Sequence, residues 1–375
     1  MFAELATALQ AEGRDVTILT SRGWALEEDL PSAQFAVHRL GRIAFSLYLR
    51  GKFFDRSPGR QSQWLGGAWR DAIMAITARR LRSRQGGTDL VMTSIGSDPW
   101  VWAALAGQGR SLIYQFDFPV AEPPRPILVA ARRIERHRRR SGGLTRVVVN
   151  HEKSLAQFSE RVDWLDPVQL PFTGSQSAPP NDDARGRLGL GSYDRLARLF
   201  GHFEPNKKDH EVVWRAFQNL AEWKLVIAGG RAADAFELWR EDQPDVVNEP
   251  ILYHGYATDE LKQLLYEAAD LAVLSFRPGS SLDSGTLVDA ISHGLPIVCS
   301  EGCFAGDVVS DLGIGGLFVA GDSESLVRTI RAAPRSLDPE VVALARDRTS
   351  AHNMAIRHLE ALGRGSDSPG WIAEE

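Results

Sequence analysis

The apolar residues in the second half of the chain form short continuous runs separated by helical patterns. Continuous runs, rather than alternating apolar and polar residues, are typical of parallel strands that are buried on both faces. Because each run is followed by a loop or a helix of about 10 residues, we expect right-handed crossovers and a doubly wound parallel sheet. The predicted strands are Leu196–Phe200, Lys224–Ala228, Ile251–Tyr253, Leu271–Phe276, Pro296–Cys299 and Leu317–Val319.

The first half shows the same kind of pattern less regularly. Met1–Glu12 predicts a helix that runs directly into a strand. Because a Rossmann-like domain normally opens with a strand whose turn lines the ligand crevice, the first strand and its glycine-rich turn are missing from this sequence. Either the start is truncated or the domain is a reduced version. The strands predicted in this half are Val16–Leu19, Leu90–Thr93, Leu112–Phe116 and Val147–Val149.

The length of 375 residues predicts two domains, because a single core stops growing well before this size. A segment rich in Pro, Ser, Gly and Asn separates the two α/β patterns and predicts a linker. We therefore predict one Rossmann-like domain over residues 1–172 and a second over residues 184–335. Residues 338–362 predict a helix that packs back on the first domain.

The net charge of −5 conceals a charge difference between the two halves. Residues 1–150 carry a net charge of +9, and residues 151–375 carry −14. The basic half predicts contact with an anionic surface or substrate, and its segments 39–54 and 125–140 suit an anionic membrane surface. The alternative is an arginine-rich solvated face plus an ordinary core helix. Nucleic acid is not an expected partner, because no recognition motif accompanies the charge.

Composition narrows the setting of the protein. The sequence has no run of about 18 or more apolar residues, so we predict no membrane-spanning helix. Its first residues lack the features of a signal peptide. Two cysteines, Cys299 and Cys303, provide no disulfide framework and no cluster at metal-ligand spacing. We therefore expect a cytoplasmic protein, peripheral on the inner face of the membrane if its basic half binds lipid.

Candidate ligand-binding residues follow the predicted strands of the second half. In an open parallel sheet, ligands bind where the carboxyl ends of strands meet loops and helix N-termini. Ser284-Gly285-Thr286 opens a predicted helix whose free N–H groups favour a phosphate. Each loop has a plain alternative reading, as a helix cap, a solvated lysine or a tight turn, but their shared edge favours binding. The three loops contribute Gly201, His202, Lys207 and Lys208, then Gly229 and Gly230, then Ser284, Gly285 and Thr286, with Asp289 one turn further along the helix.

Residues 196–335 resemble the donor domain of GT-B glycosyltransferases of family 4 (glycosyl transferases group 1). Leu199–Lys208 resembles the first donor-domain loop of that family, and Ala269–Ser300 resembles its most characteristic segment. The resemblance implies an α/β GT-B fold, with two Rossmann-like domains facing a cleft. It also implies retaining transfer of a sugar from a nucleoside-diphosphate sugar to an acceptor that the sequence does not identify, either lipid-linked or a polysaccharide precursor.

The same resemblance implies roles for individual residues. Lys207 would stabilise charge on the departing diphosphate, Ser284, Gly285 and Thr286 would hold the phosphates, and Asp289 would hold the ribose. Asp283 would contact the hydroxyls of the donor sugar. No metal or other cofactor is required if lysine and the helix dipole carry the phosphate charge.

Three features of the sequence depart from the family. His202 stands where the family usually has an arginine, so Lys208 or Arg277 is a candidate second phosphate-binding cation. The family's acidic pair consists of glutamates eight residues apart, whereas Asp283 and Asp289 are aspartates six apart. In place of the acceptor-side histidine that the family often carries, one first-domain strand leads to Asp117 and another toward Asp98. Asp117 is the preferred acceptor-side candidate, and a structural cap or turn is the alternative role for it. Two alternatives stay open. One is a nucleotide-sugar epimerase, because GT-B sheets also serve such enzymes. The other is a non-catalytic relative that binds a nucleotide sugar or a partner, which the missing first strand, His202 and the shortened acid spacing favour.

Overall fold

The computed structural model describes residues 2–14, 16–20, 36–55, 60–85, 89–92, 110–114, 125–140, 143–149, 155, 166–170, 183–191, 193–243, 245–280 and 284–363. The chain divides into two compact units. The first comprises Met1–Pro171 together with Ala351–Glu375, and the second comprises Phe172–Ser350.

The first unit contains two parallel sheets in its described part. β1 pairs with β2, and a separate sheet has the order β3-β4-β5-β6. β2 and β6 were not predicted from the sequence. The elements are α1 (Phe2–Ala11), β1 (Thr17–Thr20), β2 (Ala36–Arg39), α2 (Arg42–Asp55), α3 (Arg60–Gln85), β3 (Asp89–Met92), β4 (Arg110–Tyr114), α4 (Arg125–Arg140), β5 (Leu144–Val149) and β6 (Asp166–Gln169).

The segment predicted as one helix over residues 338–362 forms two helices. α12 (Pro339–Arg348) belongs to the second unit, and only α13 (Ala351–Ala361) belongs to the first. The prediction of a single helix is therefore corrected: Thr349 and Ser350 separate two helices, and the two helices pack in different cores. α13 places Met354 and Ala355 in the same core as Leu5, whereas α12 places Ala345 in a core of the second unit.

The second unit is built on one six-stranded parallel sheet with the order β12-β11-β10-β7-β8-β9. Its strands lie within two residues of the predicted ends. The elements are α5 (Ala184–Arg187), β7 (Leu196–Phe200), α6 (His210–Phe217), β8 (Lys224–Ala228), α7 (Ala232–Glu241), β9 (Ile251–Tyr253), α8 (Asp259–Ala268), β10 (Leu271–Leu274), α9 (Gly285–His293), β11 (Ile297–Ser300), α10 (Phe304–Leu312), β12 (Gly315–Phe318) and α11 (Ser323–Ala332), followed by α12.

Strand β7 explains the continuous apolar pattern. Ala197 and Leu199 are buried in a core with helix α6, while Leu196 is buried against α8 on the other face. The strand order reverses beside β7, because β8 continues the chain on one side and β10 returns on the other. Such a reversal is where an open α/β sheet leaves a crevice for ligands. The loops that follow β7 and β10 are therefore the first place to look for a site.

Candidate functional site

The turns after β7 and β8 touch through two glycines. Gly201 and Gly229 both have a φ of 114°, which L side chains rarely adopt. A Cβ on Gly229 would lie 2.6 Å from the carbonyl oxygen of Gly201, and the amide of Gly201 donates to the carbonyl of Ala228 at 3.0 Å. A larger residue at position 229 would push the turns apart, so this edge of the sheet needs glycine.

Lys208, in the loop after β7, lies beside the start of α9. Its Nζ donates to the carbonyl of His202 at 2.9 Å. Both this Nζ and the Cγ2 of Thr286 lie 3.0 Å from the place where Gly201 would carry a Cβ. An isolated β-bridge with Phe276 fixes the backbone of Lys208 beside the end of β10. Burial lowers the pKa of Lys208 to about 8, so a poorly hydrated cation stands where the strand order reverses.

Lys207 occupies a more exposed position. Its Nζ lies 3.0 Å from Oε2 of Glu204, and the two side chains are 41% and 45% exposed. The hydrogen bond from Lys207 holds the pKa of Glu204 below its ordinary value. The carbonyl of Lys207 accepts from the amide of Arg277 at 2.9 Å and from the hydroxyl of Ser280 at 3.2 Å. These two hydrogen bonds attach the loop after β10 to the backbone of Lys207. The ammonium group of Lys207 lies at the solvent-exposed rim of the site.

Helix α9 begins beside Lys208 with an N-cap serine. The Oγ of Ser284 accepts from the amide of Leu287 at 3.3 Å and lies 2.6 Å from the hydroxyl of Thr286. Within the described residues, the backbone N–H groups of Gly285 and Thr286 have no acceptor. Free N–H groups and the positive end of the helix dipole together favour an anion. Ser284 thus acts as a cap, and among the described residues nothing competes with a ligand for the two N–H groups beside it.

Asp289 lies one turn further into α9 and is nearly buried. Its Oδ2 is 2.8 Å from Nζ of Lys262 and accepts from the hydroxyl of Tyr266 at 3.2 Å. Its backbone carbonyl accepts from Nδ1 of His293 at 2.8 Å. Because a carbonyl oxygen only accepts, this ring nitrogen carries the proton. The carboxylate is therefore held in one orientation by two donors from α8.

A pair of rings lies beside the second glycine turn. A Cβ on Gly230 would be 2.8 Å from Nδ1 of His202 and 3.0 Å from Cζ of Tyr256. The two rings are almost parallel, with 4° between their planes and 6.3 Å between their centroids. Tyr256 is 83% exposed, which leaves most of its ring open. Loops after β7, β8 and β9 thus meet around Gly230.

The structure brings most of the predicted residues to this edge, and two predicted residues fall outside the described ranges. Gly201, Lys208 and Thr286 converge, Gly229 touches Gly201, and Gly230 touches His202. Asp117 and Asp283 lie outside the described residues, so their roles remain predictions.

Sequence reasoning missed four residues around the site: Arg198, Tyr256, Lys262 and Tyr266. Two signals were present in the sequence. Arg198 is a charged residue inside an otherwise apolar strand, which requires a compensating group nearby. Lys262 and Tyr266 are four residues apart and therefore share one face of a helix.

One exposed group among the described residues has ligand atoms close enough to hold a metal ion. The group comprises Asp234, Glu237 and His254, with all ligand atoms within 4.8 Å of one another. His254 Nδ1 lies 2.9 Å from Asp234, and this contact raises the pKa of His254. Solvated carboxylates that pair with a histidine account for the arrangement, and the expectation that no metal is required stays a prediction.

A known family model matches part of the second unit. Residues 196–334 match the family model described as Glycosyl transferases group 1, which confirms the resemblance to that group; the narrower assignment to family 4 stays a prediction. The chain is also 30% identical over 129 residues to O-antigen chain mannosyltransferase B of Escherichia coli. That similarity covers 33% of this chain and 33% of the relative, so the chain matches about a third of the relative's length.

Solved structures resemble nearly the whole chain. A glycosyltransferase from Rickettsia africae has a TM-score of 0.65 at 13% identity, covering 96% of this chain and 92% of that one. Anabaena HepE in complex with UDP has a TM-score of 0.64 at 15% identity, covering 96% of each chain. Sucrose-phosphate synthase of Thermosynechococcus elongatus has a TM-score of 0.59 at 15% identity, covering 96% and 87%. These similarities confirm the predicted α/β GT-B fold with two Rossmann-like domains.

Proposed function

We propose that this chain, with its GT-B fold and a Glycosyl transferases group 1 domain over residues 196–334, is a retaining glycosyltransferase. It transfers a sugar from a nucleoside-diphosphate sugar to an acceptor. The observation that carries the proposal is the position of Lys208 beside the open N-terminus of α9, where the strand order reverses. A diphosphate needs both a cation and free N–H donors. The E. coli relative is named a mannosyltransferase and the Anabaena structure contains UDP, which supports this donor class.

In this proposal the two neighbouring lysines have different tasks. Lys208 and the start of α9 bind the diphosphate, with Gly201 and Gly229 allowing the backbone to come close. Lys207 stabilises the charge that develops on the diphosphate as the sugar leaves, which in many enzymes is the largest contribution to catalysis. Because these groups are cationic, no metal ion is required for the phosphate charge. Asp283 binds hydroxyls of the donor sugar.

The nucleoside binds beyond the phosphates. Asp289 receives the ribose, and the exposed ring of Tyr256, beside His202 and Gly230, provides a flat surface for the base. Asp117 is the acceptor-side residue of the proposal. The acceptor is a lipid-linked sugar or a polysaccharide precursor.

Thermal denaturation with UDP, GDP, ADP and their common sugar conjugates tests the donor site. A ligand that binds only the folded protein stabilises it by about 2.7 kcal/mol at a concentration of 100 Kd. We expect one nucleoside diphosphate to raise the melting temperature, and its sugar conjugate to be cleaved slowly with release of nucleoside diphosphate. Binding without any turnover would support the non-catalytic alternative, and interconversion of attached sugars without nucleotide release would support an epimerase. If no nucleotide stabilises a folded sample, the donor site is wrong.

We also propose that the basic first unit binds an anionic membrane surface. α2 exposes Ile43, which is 79% accessible, and Leu49, beside Arg42 and Arg50, and α3 exposes Trp69. A basic helix with exposed apolar side chains suits a charged lipid interface, at about 1 kcal/mol per basic residue. Among the helices of the described ranges, none is long and apolar enough to cross a bilayer.

Co-sedimentation with lipid vesicles tests the membrane proposal. We expect binding to vesicles with anionic lipids, weaker binding at high salt and little binding to neutral vesicles. Arg42→Glu with Arg50→Glu reduces the binding, whereas Arg240→Glu with Arg328→Glu, at exposed sites of the second unit, changes the net charge equally and is the matched control. Equal losses in both proteins would show that total charge, rather than this surface, determines the binding.

A further inference from the structure

A polar cluster lies below the start of α9, formed by the buried side chains of Arg198 of β7, Tyr266 of α8 and Asp289 of α9 together with Lys262 of α8, which is 30% exposed. Lys262 and Tyr266 both contact Oδ2 of Asp289, at 2.8 Å and 3.2 Å. No donor among the described residues contacts Oδ1. One carboxylate oxygen is therefore fixed by the protein, and the other remains able to accept a hydrogen bond from a ligand.

Tyr266 is fully buried and acts in this cluster as a donor. Burial raises the pKa of its hydroxyl, so the proton stays on the oxygen over the working pH range. The hydroxyl also lies 3.4 Å from the carbonyl of Thr286. Its ring stacks on His293, with 4.7 Å between ring centroids. Tyr266 therefore connects the first turn of α9 to the carboxylate one turn later, and rigid packing of its ring fixes both.

Arg198 places a positive charge under Tyr266. Its guanidinium carbon is 3.1 Å from the centroid of the Tyr266 ring, and the side chain is only 2% exposed. Burial lowers the pKa of Arg198, while Tyr266 and Asp289 oppose that change. Nε and Nη1 have no hydrogen-bond partner among the described residues. Burying a guanidinium group without hydrogen-bond partners destabilises the folded protein, so packing alone does not explain Arg198. The carboxylate of Asp289 offsets part of this cost, and it does so only while it stays in this position.

We infer that Lys262 and Tyr266, supported by Arg198, are positioning residues that direct Oδ1 of Asp289 toward a ribose hydroxyl of the donor nucleotide. This inference rests on the proposed function. It adds to the ribose contact of Asp289 the residues that orient its carboxylate, and discrimination between ribonucleotides and deoxyribonucleotides measures that orientation. A carboxylate held by two protein donors is oriented before the ligand binds, so loss of the ribose hydroxyl removes a charge-assisted hydrogen bond.

Calorimetric titration measures the selectivity with the stabilising nucleoside diphosphate and its 2′-deoxy and 3′-deoxy analogues. For the unaltered protein, we expect one analogue to bind about tenfold or more weakly, the loss expected for one hydrogen bond to a charged group. Tyr266→Phe keeps the ring contacts with Arg198 and His293 and removes only the hydroxyl. We expect Tyr266→Phe and Lys262→Met to reduce the discrimination to about threefold or less, with the affinity for the deoxy analogue unchanged.

Three results separate the possible failures. Tyr253→Phe and Lys224→Met are matched controls in the same unit and should keep full discrimination. If the unaltered protein binds all three nucleotides equally, the inference is wrong and the donor site stands. If Tyr266→Phe and Lys262→Met keep full discrimination, the cluster is structural only. If no nucleotide binds to the folded, unaltered protein, the proposed function and the inference are both wrong.

Discussion

The rim and the floor of the candidate site carry the same charge in different environments. At the rim, Lys207 pairs with Glu204 and both side chains are largely solvated. At the floor, its neighbour Lys208 is half-buried beside Gly201 and Thr286, and desolvation lowers its pKa to about 8. Rim charges are screened and mobile, whereas a desolvated charge interacts strongly with a bound anion. The two adjacent lysines can thus have different roles: Lys207 stabilises the charge that develops as the sugar leaves, and Lys208 binds the diphosphate before the reaction.

The largest expected effect comes from removing the rim cation. We expect Lys207→Ala to lower kcat for nucleoside-diphosphate release from the sugar donor about 100-fold or more, because charge on the leaving group loses its stabilising partner. The free energy of unfolding should change by less than about 1 kcal/mol, since exposed ion pairs contribute little. Steady-state kinetics and chemical denaturation measure the two quantities.

Lys224→Ala is the matched control for this variant, because Lys224 begins β8 at the amino end of the sheet. It should leave kcat unchanged. If Lys207→Ala retains full kcat, leaving-group stabilisation does not come from this residue, and the assignment of the rim lysine is wrong.

The floor cation should make nucleotide affinity depend on pH. Its pKa of about 8 lies below the ordinary value of 10.5, and a bound diphosphate raises it again. Binding above pH 8 therefore takes up a proton, so Kd should rise about tenfold per pH unit from pH 8 toward pH 9.5. For folding without ligand, the effect of pH has the opposite sign. Burial of the charged lysine lowers the free energy of unfolding, and this cost is at its full value below pH 8. That cost declines between pH 8 and 10.5, where the unfolded chain holds more protons.

Two substitutions distinguish charge from titration. Lys208→Met should bind the diphosphate weakly at every pH, whereas Lys208→Arg, which stays charged, should lose the pH dependence. Calorimetric titration at several pH values measures both. A slope that persists in Lys208→Met would have to come from another group.

A smaller effect is expected at the exposed ring beside Gly230. We expect Tyr256→Ala to weaken nucleoside-diphosphate binding about tenfold, because stacking of an aromatic ring on a base contributes about 1–3 kcal/mol. Tyr256→Phe should bind normally, since the ring face is retained. Affinity for inorganic pyrophosphate, which has no base, should be the same in all three proteins, and a parallel loss there would place Tyr256 at the phosphates instead.

The smallest change tests the ion pair at the rim itself. Glu204→Gln removes a carboxylate that competes with phosphate for Lys207. We expect the Kd for nucleoside diphosphate to fall by less than about fivefold, which is the range of an exposed ion pair. Weaker binding in this variant would mean that Glu204 helps to orient the lysine.

Much of the second unit could be predicted from the sequence, for a physical reason. Strands such as Leu196–Phe200 are buried on both faces, so their apolar runs are continuous and mark the strand directly. The carboxyl ends of such strands share one edge, which located Gly201, Gly229 and Gly285 at the candidate site. The first unit was harder, because β2 and β6 are strands of four residues with weak patterns.

Features of the site that depend on side-chain direction could not be predicted. Nothing in the residue types of Lys207 and Lys208 shows which lysine points toward the sheet; the position of the Lys208 ammonium near Thr286 makes the difference. Tyr266 and Lys262 reach Asp289 from another helix, a contact that no local pattern encodes. The predicted roles of Asp117 and Asp283 stay predictions.

The position of α13 has a consequence for the synthesis of the protein. Met354 and Ala355 complete the core around Leu5, and Arg146 donates to the carbonyl of Ala361 at 2.8 Å. A chain leaves the ribosome from its N-terminus, and domains generally fold in that order. Here the first unit lacks part of its core until α13 has been translated, so the second unit is complete before the first. A ribosome-bound chain that ends at Ser350 should therefore carry a folded second unit and a protease-sensitive first unit.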